Sequence, residues 1–339
     1  MNVKHREKPY SLLTYEALFR RLNPNLGNSD FINSGYLTSL AGYRGERDVD
    51  YKLSQYPLKN SYVLQGLRLK SGPHYFQIDT LILTRNFFCI LEIKNIKGEL
   101  EYDSDFKQLT QKVGNEMKGI KNPIYQAEAQ KRNLESLLQD MQIFNIPIDY
   151  LVVISNPRTI LKCRQQDQEV FDKMIHAESL ANHLDKLIPQ YNKEVLTKAT
   201  LKKANDFLLN NQTPHLPQLI KQHRLNDQQL IKGIICPTCQ SFPMKRSRRT
   251  WLCEKCLNTH KDAHKQTILD YFLLYDKKIT NKKCREILMI DSDKIAYNLL
   301  TSMNLERFGD NRGRVYLSPN QAAFPQNSFV PSLNKNGFY

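Results

Sequence analysis

The chain has 339 residues, 40% of them hydrophobic and 24% charged, with a formal net charge of +15. This is the composition of a soluble globular protein of two or three domains, and the excess charge calls for a polyanionic partner, nucleic acid before an anionic membrane surface. No run of about 18 apolar residues occurs, which excludes a transmembrane span, and the N-terminal MNVKHREKPYSLLTY has no apolar h-region of a signal peptide. The seven cysteines are odd in number; four form CxxC pairs, while Cys89, Cys163 and Cys284 stand alone. That is metal usage in a reducing compartment rather than a disulfide framework, so the expected location is cytoplasmic.

In chain order, residues 10–35 read as a helix followed by an Asn/Pro/Gly/Ser-rich linker. A helical segment is predicted from Ser34 to about Lys52 and carries GYRGERDVDYKL. A strand follows at Ser61–Leu69, then a hairpin, QIDTLILTRNFFCILEIKN (Gln77–Asn95), then a further strand, GELEYD, from Gly98. Asn122-Pro123 opens a helix with apolar residues at helical spacing. IPIDYLVVISNP has the continuous β-branched run of a buried strand. The order helix, strands, helix, strand describes an α/β core ending near Pro157. Residues 165–232 read as a polar, lysine-rich helical connector.

The hairpin carries ionisable residues in a mostly apolar frame. With Arg85-Asn86 as the turn, residue 84 faces 87 and Asp79 lies opposite Glu92; alternation then puts Lys94 on the face of Glu92. Two opposed carboxylates repel, and burying them is costly unless something compensates. A hard divalent cation, Mg²⁺ or Mn²⁺, held by Asp79 and Glu92 removes that conflict, and a neighbouring lysine can position the attacking water or stabilise charge on a phosphate. The competing reading is an exposed sheet face with an ion pair between Asp79 and Lys94; the apolar residues on both faces argue against it.

QID, twelve residues, then EIK resembles the D-x(n)-E-x-K core of the PD-(D/E)XK nuclease superfamily, and more narrowly the nuclease-related domain, NERD. The family's upstream Gly-Glu element is similar to Gly45-Glu46, its Asn-Pro-x-x-Gln element to Asn122, Pro123 and Gln126, and KNIKG, with Asn95 and Gly98, also fits. The resemblance covers about residues 36–157. It implies a restriction-endonuclease-like mixed sheet flanked by helices, with Glu46, Asp79, Glu92 and Lys94 as a metal-dependent hydrolytic site and Gln126 adjoining it. It also implies a setting in DNA processing or defence. Phe106 departs from the family, standing where a tryptophan is expected.

CPTCQSFPMKRSRRTWLCEKC gives C-x2-C-x13-C-x2-C through Cys236, Cys239, Cys253 and Cys256. Each CxxC turn presents two thiolates to one tetrahedral ion, the spacing of a structural Zn²⁺ site in a zinc ribbon. Lys245, Arg246, Arg248 and Arg249, followed by Trp251, suit phosphate contact with base stacking, or equally a solvated hairpin tip. His260 and His264 are spare, because four cysteines complete the shell.

From about Lys265 the pattern is three helices and a hairpin. Thr280 and Ser292 are placed to cap the second and third helices, and Asp310-Asn311-Arg312-Gly313 makes the turn. This resembles a winged helix-turn-helix. Ile295, Leu299 and Leu300 would then face the core, leaving Lys294, Tyr297, Asn298 and Thr301 toward a major groove and Arg312 and Arg314 toward phosphate. Winged helices also serve as protein-interaction modules. The tail from Pro319 is expected to be loosely ordered.

The domain plan expected is therefore a helix and linker (1–35), a nuclease-like α/β domain (36–160), a helical connector (161–232), a zinc ribbon (233–260), a winged helix (264–318) and a tail (319–339). The expected activity is Mg²⁺-dependent hydrolysis of DNA. The alternatives are a catalytically silent DNA-binding regulator and a basic scaffold for an acidic partner.

Overall fold

The computed structural model describes residues 2–23, 30–163, 167–327 and 330. In chain order its main elements are β1 (Asn2–Lys4), α1 (Tyr10–Arg21), α2 (Asp30–Ser54), β2 (Tyr62–Ser71), β3 (His74–Leu83), β4 (Phe88–Lys94), β5 (Glu99–Asp103), β6 (Gln108–Val113), β7 (Glu116–Ile120), α3 (Pro123–Asp140), β8 (Ile148–Ile154), β9 (Ile160–Cys163), α4 (Gln168–Lys173), β10 (Met174–His176), α5 (Leu180–Leu187) and α6 (Lys198–Asn210). Then come α7 (Leu219–Gln222), β11 (Lys245–Ser247), β12 (Thr250–Leu252), β13 (Thr259–His260), α8 (Ala263–Leu274), β14 (Lys278–Thr280), α9 (Asn281–Leu288), α10 (Asp293–Ser302), β15 (Arg307–Phe308) and β16 (Val315–Leu317). Two compact units result, Met1–Arg6 with Leu40–Pro214, and Glu7–Ser39 with His215–Tyr339.

The first unit is mixed α/β. Its main sheet has the order β1-β2-β3-β4-β8-β10, antiparallel through β2-β3-β4 and parallel at β1-β2, β4-β8 and β8-β10. β4 and β8 are buried on both faces, which accounts for their continuous apolar sequences. One face packs Leu81, Ile90 and Val152 with Ala127, Leu134 and Leu138 of α3 and Leu201 and Leu208 of α6. The other packs Ile82, Leu91 and Val153 with Val49 and Leu53 of α2 and Leu180 and Leu184 of α5. A charged residue on β4 is therefore forced indoors.

Several elements differ from the sequence expectation. β1 is a three-residue parallel edge strand, too short to show a period. α2 starts at Asp30, inside the stretch read as linker; the acid suits a first helical turn, and Ile32 and Tyr36 are buried. Linker residues 24–29 lie outside the described residues. GELEYD does not extend the main sheet but joins a second one, β7-β6-β5-β9. The chain turns away at Gly98 (φ +89°), where a Cβ would sit 2.2 Å from the Lys112 carbonyl. The connector is not all helix either: β10 pairs with β8, with Met174 and Ile175 buried.

In the second unit α1 packs on α8, and the buried Asp270 of α8 takes hydrogen bonds from Arg20 and Arg21. β11-β12-β13 form a small ribbon, and α8, α9 and α10 carry the sheet β14-β16-β15. Thr280 and Ser292 cap α9 and α10 as expected, accepting from the N–H groups of Lys283 and Ile295. The start of the tail is docked rather than loose: Phe324 is buried edge-on against Tyr10, and Gln326 accepts from the Lys8 N–H. Residues 328, 329 and 331–339 lie outside the described residues.

Candidate active site and metal centre

The turn between β3 and β4 is closed by the Thr84 N–H donating to the Phe87 carbonyl, and the ladder runs from Leu83↔Phe88 to Thr80↔Leu91. The ladder ends there, so Asp79 and Glu92, the next residues on the two strands, are not a ladder pair; instead Asp79 Oδ2 accepts the Ile93 N–H at 2.8 Å. Glu92 is fully buried and faces α3, where Gln130 Nε2 donates to its Oε2 at 2.5 Å. Lys94 Nζ lies 2.6 Å from Glu92 Oε1 and donates to Gln126 Oε1 at 3.0 Å. Gln126 is placed by the helix start: Asn122 Oδ1 accepts the Ile124 N–H and Pro123 takes the first helical position.

Glu46 arrives from the other side on α2. Gly45 explains how that helix comes so close: a Cβ there would lie 2.4 Å from Ser155 Oγ and 2.7 Å from Asn95 Cβ. Asn95 Nδ2 ties the strand end to the helix through the Ala41 carbonyl at 2.8 Å. Arg6, just past β1, was not foreseen. Its guanidinium donates to Glu46 Oε2 (2.6 Å), Asp50 Oδ2 and Oδ1 (2.7 and 3.1 Å), the Asp79 carbonyl (2.7 Å) and Thr80 Oγ1 (3.0 Å).

Four carboxylates, Glu46, Asp50, Asp79 and Glu92, thus share a pocket with two cations, Arg6 and Lys94. Fully ionised, they leave two negative charges uncompensated. Burial, followed by the neighbouring Asp79, pushes Glu92 up to about 7 against the pull of Lys94. Glu46 is also raised to about 7, by burial against the opposing pull of Arg6. Burial raises Asp79 as well, against its bond from the Ile93 N–H. A divalent cation fits the deficit in charge and in ligand type, since hard ions favour carboxylate oxygen. Among the described residues these acids do not form a trio with oxygens all within 4.8 Å of one another.

The family model of the nuclease-related domain matches residues 41–155. The chain carries a nuclease-related domain. A comparison with curated proteins finds no match. Among solved structures, a Vibrio cholerae protein, VC1899, is similar at 14% identity with a TM-score of 0.23, over 48% of this chain and 36% of that one; this chain spans about a third of that protein's length. Within the nuclease-related domain, Phe106 is 82% exposed, so the departure from tryptophan leaves no gap in the core.

Cys236, Cys239, Cys253 and Cys256 bring their sulfurs within 4.8 Å of one another. Cys236 and Cys256 are 3.7 Å apart, Cys239 and Cys253 3.5 Å. A tetrahedral zinc ion with bonds of about 2.3 Å sets its sulfurs roughly 3.8 Å apart, so the quartet fits Zn²⁺. The Ser241 hydroxyl, 3.0 Å from Cys253 Sγ, and backbone N–H groups bring that thiol down to about 6. His260 is engaged with Thr238 and His264 with Trp251, so neither is a ligand.

The base-stacking assignment of Trp251 is corrected. Its side chain is 0% exposed, its indole N–H donates to His264 Nδ1 at 3.3 Å, and Arg246 lies over its ring at 4.8 Å. The aromatic is the core of the ribbon, and Arg246 is its half-buried cover. Lys245 is exposed and paired with Glu254, while Arg248 and Arg249 are exposed at the hairpin tip. On α10, Lys294, Tyr297, Asn298 and Thr301 are exposed, Leu299 and Leu300 buried and Ile295 half-buried. Arg314 lies over the Tyr297 ring at 5.6 Å; the side chain of Arg312 lies outside the described residues.

Proposed function

We propose that this protein is a metal-dependent nuclease that hydrolyses phosphodiester bonds of DNA. The observation that carries the reading is the buried acid pocket of the nuclease-related domain, two positive charges short and flanked by an accessible lysine. Asp79 and Glu92 would hold Mg²⁺ or Mn²⁺, with Glu46 completing the set. When bound, the ion supplies Lewis-acid charge to the phosphate and lowers the pKa of a coordinated water. The chain's own residues do the rest. Gln130 fixes the Glu92 carboxylate, leaving Oε1 toward Lys94. Gln126 holds the Lys94 ammonium, which is 28% exposed, so a remaining N–H can orient the hydrolytic water and stabilise the developing phosphorane charge. The zinc ribbon and winged helix would hold the nucleic acid, through Lys245, Arg248 and Arg249 on one and Lys294, Tyr297, Asn298, Thr301, Arg312 and Arg314 on the other.

The test is cleavage of linear, circular, single- and double-stranded DNA with and without Mg²⁺, comparing the wild-type chain with Asp79→Asn, Glu92→Gln and Lys94→Ala. Metal-dependent cutting lost in all three supports the proposal. Cutting unaffected by them sinks the site assignment, and tight binding without any cutting favours the silent DNA-binding reading.

A further inference from the structure

We infer that Arg6 is a positioning residue of the acid pocket: it closes Asp50 and holds Glu46 by one carboxylate oxygen, leaving the other free for a divalent cation. The inference rests on the metal-dependent reading above. Arg6 lies outside residues 41–155, the stretch matched by the family model.

Glu46 and Asp50 are one turn apart on α2, and nothing in their sequence spacing says which of the two serves the site. The guanidinium distinguishes them. Asp50 is engaged on both oxygens, Oδ2 by Nε and Oδ1 by Nη2, and Oδ1 also accepts from the Thr80 hydroxyl at 3.3 Å. Glu46 gives up only Oε2, to Nη1. Its Oε1 has no hydrogen-bond partner among the described residues. The same guanidinium is fixed by the Asp79 carbonyl and Thr80 Oγ1 on β3, and the Arg6 backbone N–H donates to Gln65 Oε1 on β2. With 4% of its side chain exposed, Arg6 has little freedom to swing away. Its five N–H groups form a rigid planar fork, and this division of the two acids needs that fork. A lysine at the same place offers a point charge that cannot clamp Asp50 bidentately and reach Glu46 and β3 together.

Hydrogen-bond partners that orient metal ligands typically account for about 10–100-fold in affinity. The measurement is Mn²⁺ binding to the zinc-loaded full chain, read from loss of the free-ion EPR signal, with circular dichroism and melting temperature alongside. Arg6→Lys should weaken Mn²⁺ binding by about 10–100-fold. Asp50→Asn should weaken it in the same direction, because the freed guanidinium then competes for both Glu46 oxygens. The double variant should be no weaker than the weaker single one, since both act through one clamp. In the cleavage assay, the Mg²⁺ concentration for half-maximal rate should rise by the same factor, and much of the rate should return at saturating Mg²⁺.

A lower melting temperature with unchanged Mn²⁺ affinity would show that Arg6 is only a staple between strand and helix, and would overturn the inference. If Arg6→Lys does not fold, Asp50→Asn carries the test, and unchanged affinity there overturns it equally. Failure of the underlying reading looks different: Mn²⁺ binding by the wild-type chain would then be absent or untouched by Asp79→Asn.

Discussion

The cysteine quartet and the acid pocket solve opposite problems. The four thiols converge on one point, with sulfurs 3.5–3.7 Å apart within each pair across the two CxxC turns. The acids are held by protein partners, Glu46 and Asp50 by Arg6, Asp79 by the Ile93 N–H, and Glu92 by Gln130 and Lys94. The thiol quartet has the closed, all-sulfur geometry that a structural zinc ion fits, whereas the acids offer oxygen ligands beside an accessible lysine, an arrangement that suits an ion exchanging with solvent and substrate.

The largest expected effect tests that contrast directly. Zinc-thiolate sites contribute on the order of 10 kcal/mol to the folding of small domains. Chelation, or Cys253→Ser, should therefore unfold the ribbon. The chain has a single tryptophan, Trp251, buried inside that ribbon. Its emission should shift to the red on chelation while the far-UV signal of the first unit persists. A buried indole that stays blue after complete removal of zinc would break the contrast.

A second effect concerns the same core and pH. His264 is buried beside Trp251, and burial lowers its pKa from the usual 6.5 to about 4. The unfolded chain takes up a proton below about 6.5 that the folded chain refuses until about 4, so stability falls as pH drops through that window. The full difference corresponds to roughly 3 kcal/mol. Zinc-loaded wild type should lose more stability than His264→Gln between pH 7.5 and 5. Equal losses in both would mean that His264 is not the group responsible.

The acid pocket should respond more gently. Ligand at about 100 times its Kd stabilises a fold by about 2.7 kcal/mol. Saturating Mn²⁺ should stabilise the wild-type chain by about that amount, read as a higher melting temperature, and leave Asp79→Asn unmoved. A shift in Asp79→Asn as large as in the wild type would place the bound ion elsewhere.

The juxtaposition of Asp79, Glu92 and Lys94 was legible because one tight hairpin sets their register, whereas Glu46 and Gln126 were reached only through the family resemblance, since each alone looks like an ordinary helix residue. The four cysteines were legible as the hairpin was: their geometry is local. Arg6 was not, because a three-residue edge strand carries no period and its partners come from α2 and β3. Asp50 resembled any polar helix residue. Gln130 could have been found, since it follows Gln126 by four positions on the face that α3 turns to β4. Trp251 was misread because a basic run beside an aromatic fits nucleic-acid contact as well as it fits a packed ribbon. Only burial separates those readings.

That correction leads to the smallest effect, which divides the basic residues of the ribbon. Arg249 is exposed, whereas Arg246 lies over Trp251 with Nε and Nη1 buried and unpartnered among the described residues. A residue that meets phosphate releases counterions, and its loss lowers the slope of log K against log salt by about 1. Arg249→Ala should do this in anisotropy titrations of a labelled duplex over a range of salt. Arg246→Ala should leave the slope nearly unchanged and act on stability instead, because it uncovers the indole. If Arg246→Ala lowers the slope as much as Arg249→Ala, the guanidinium swings off the ring to reach DNA, and the ribbon core is also a contact surface.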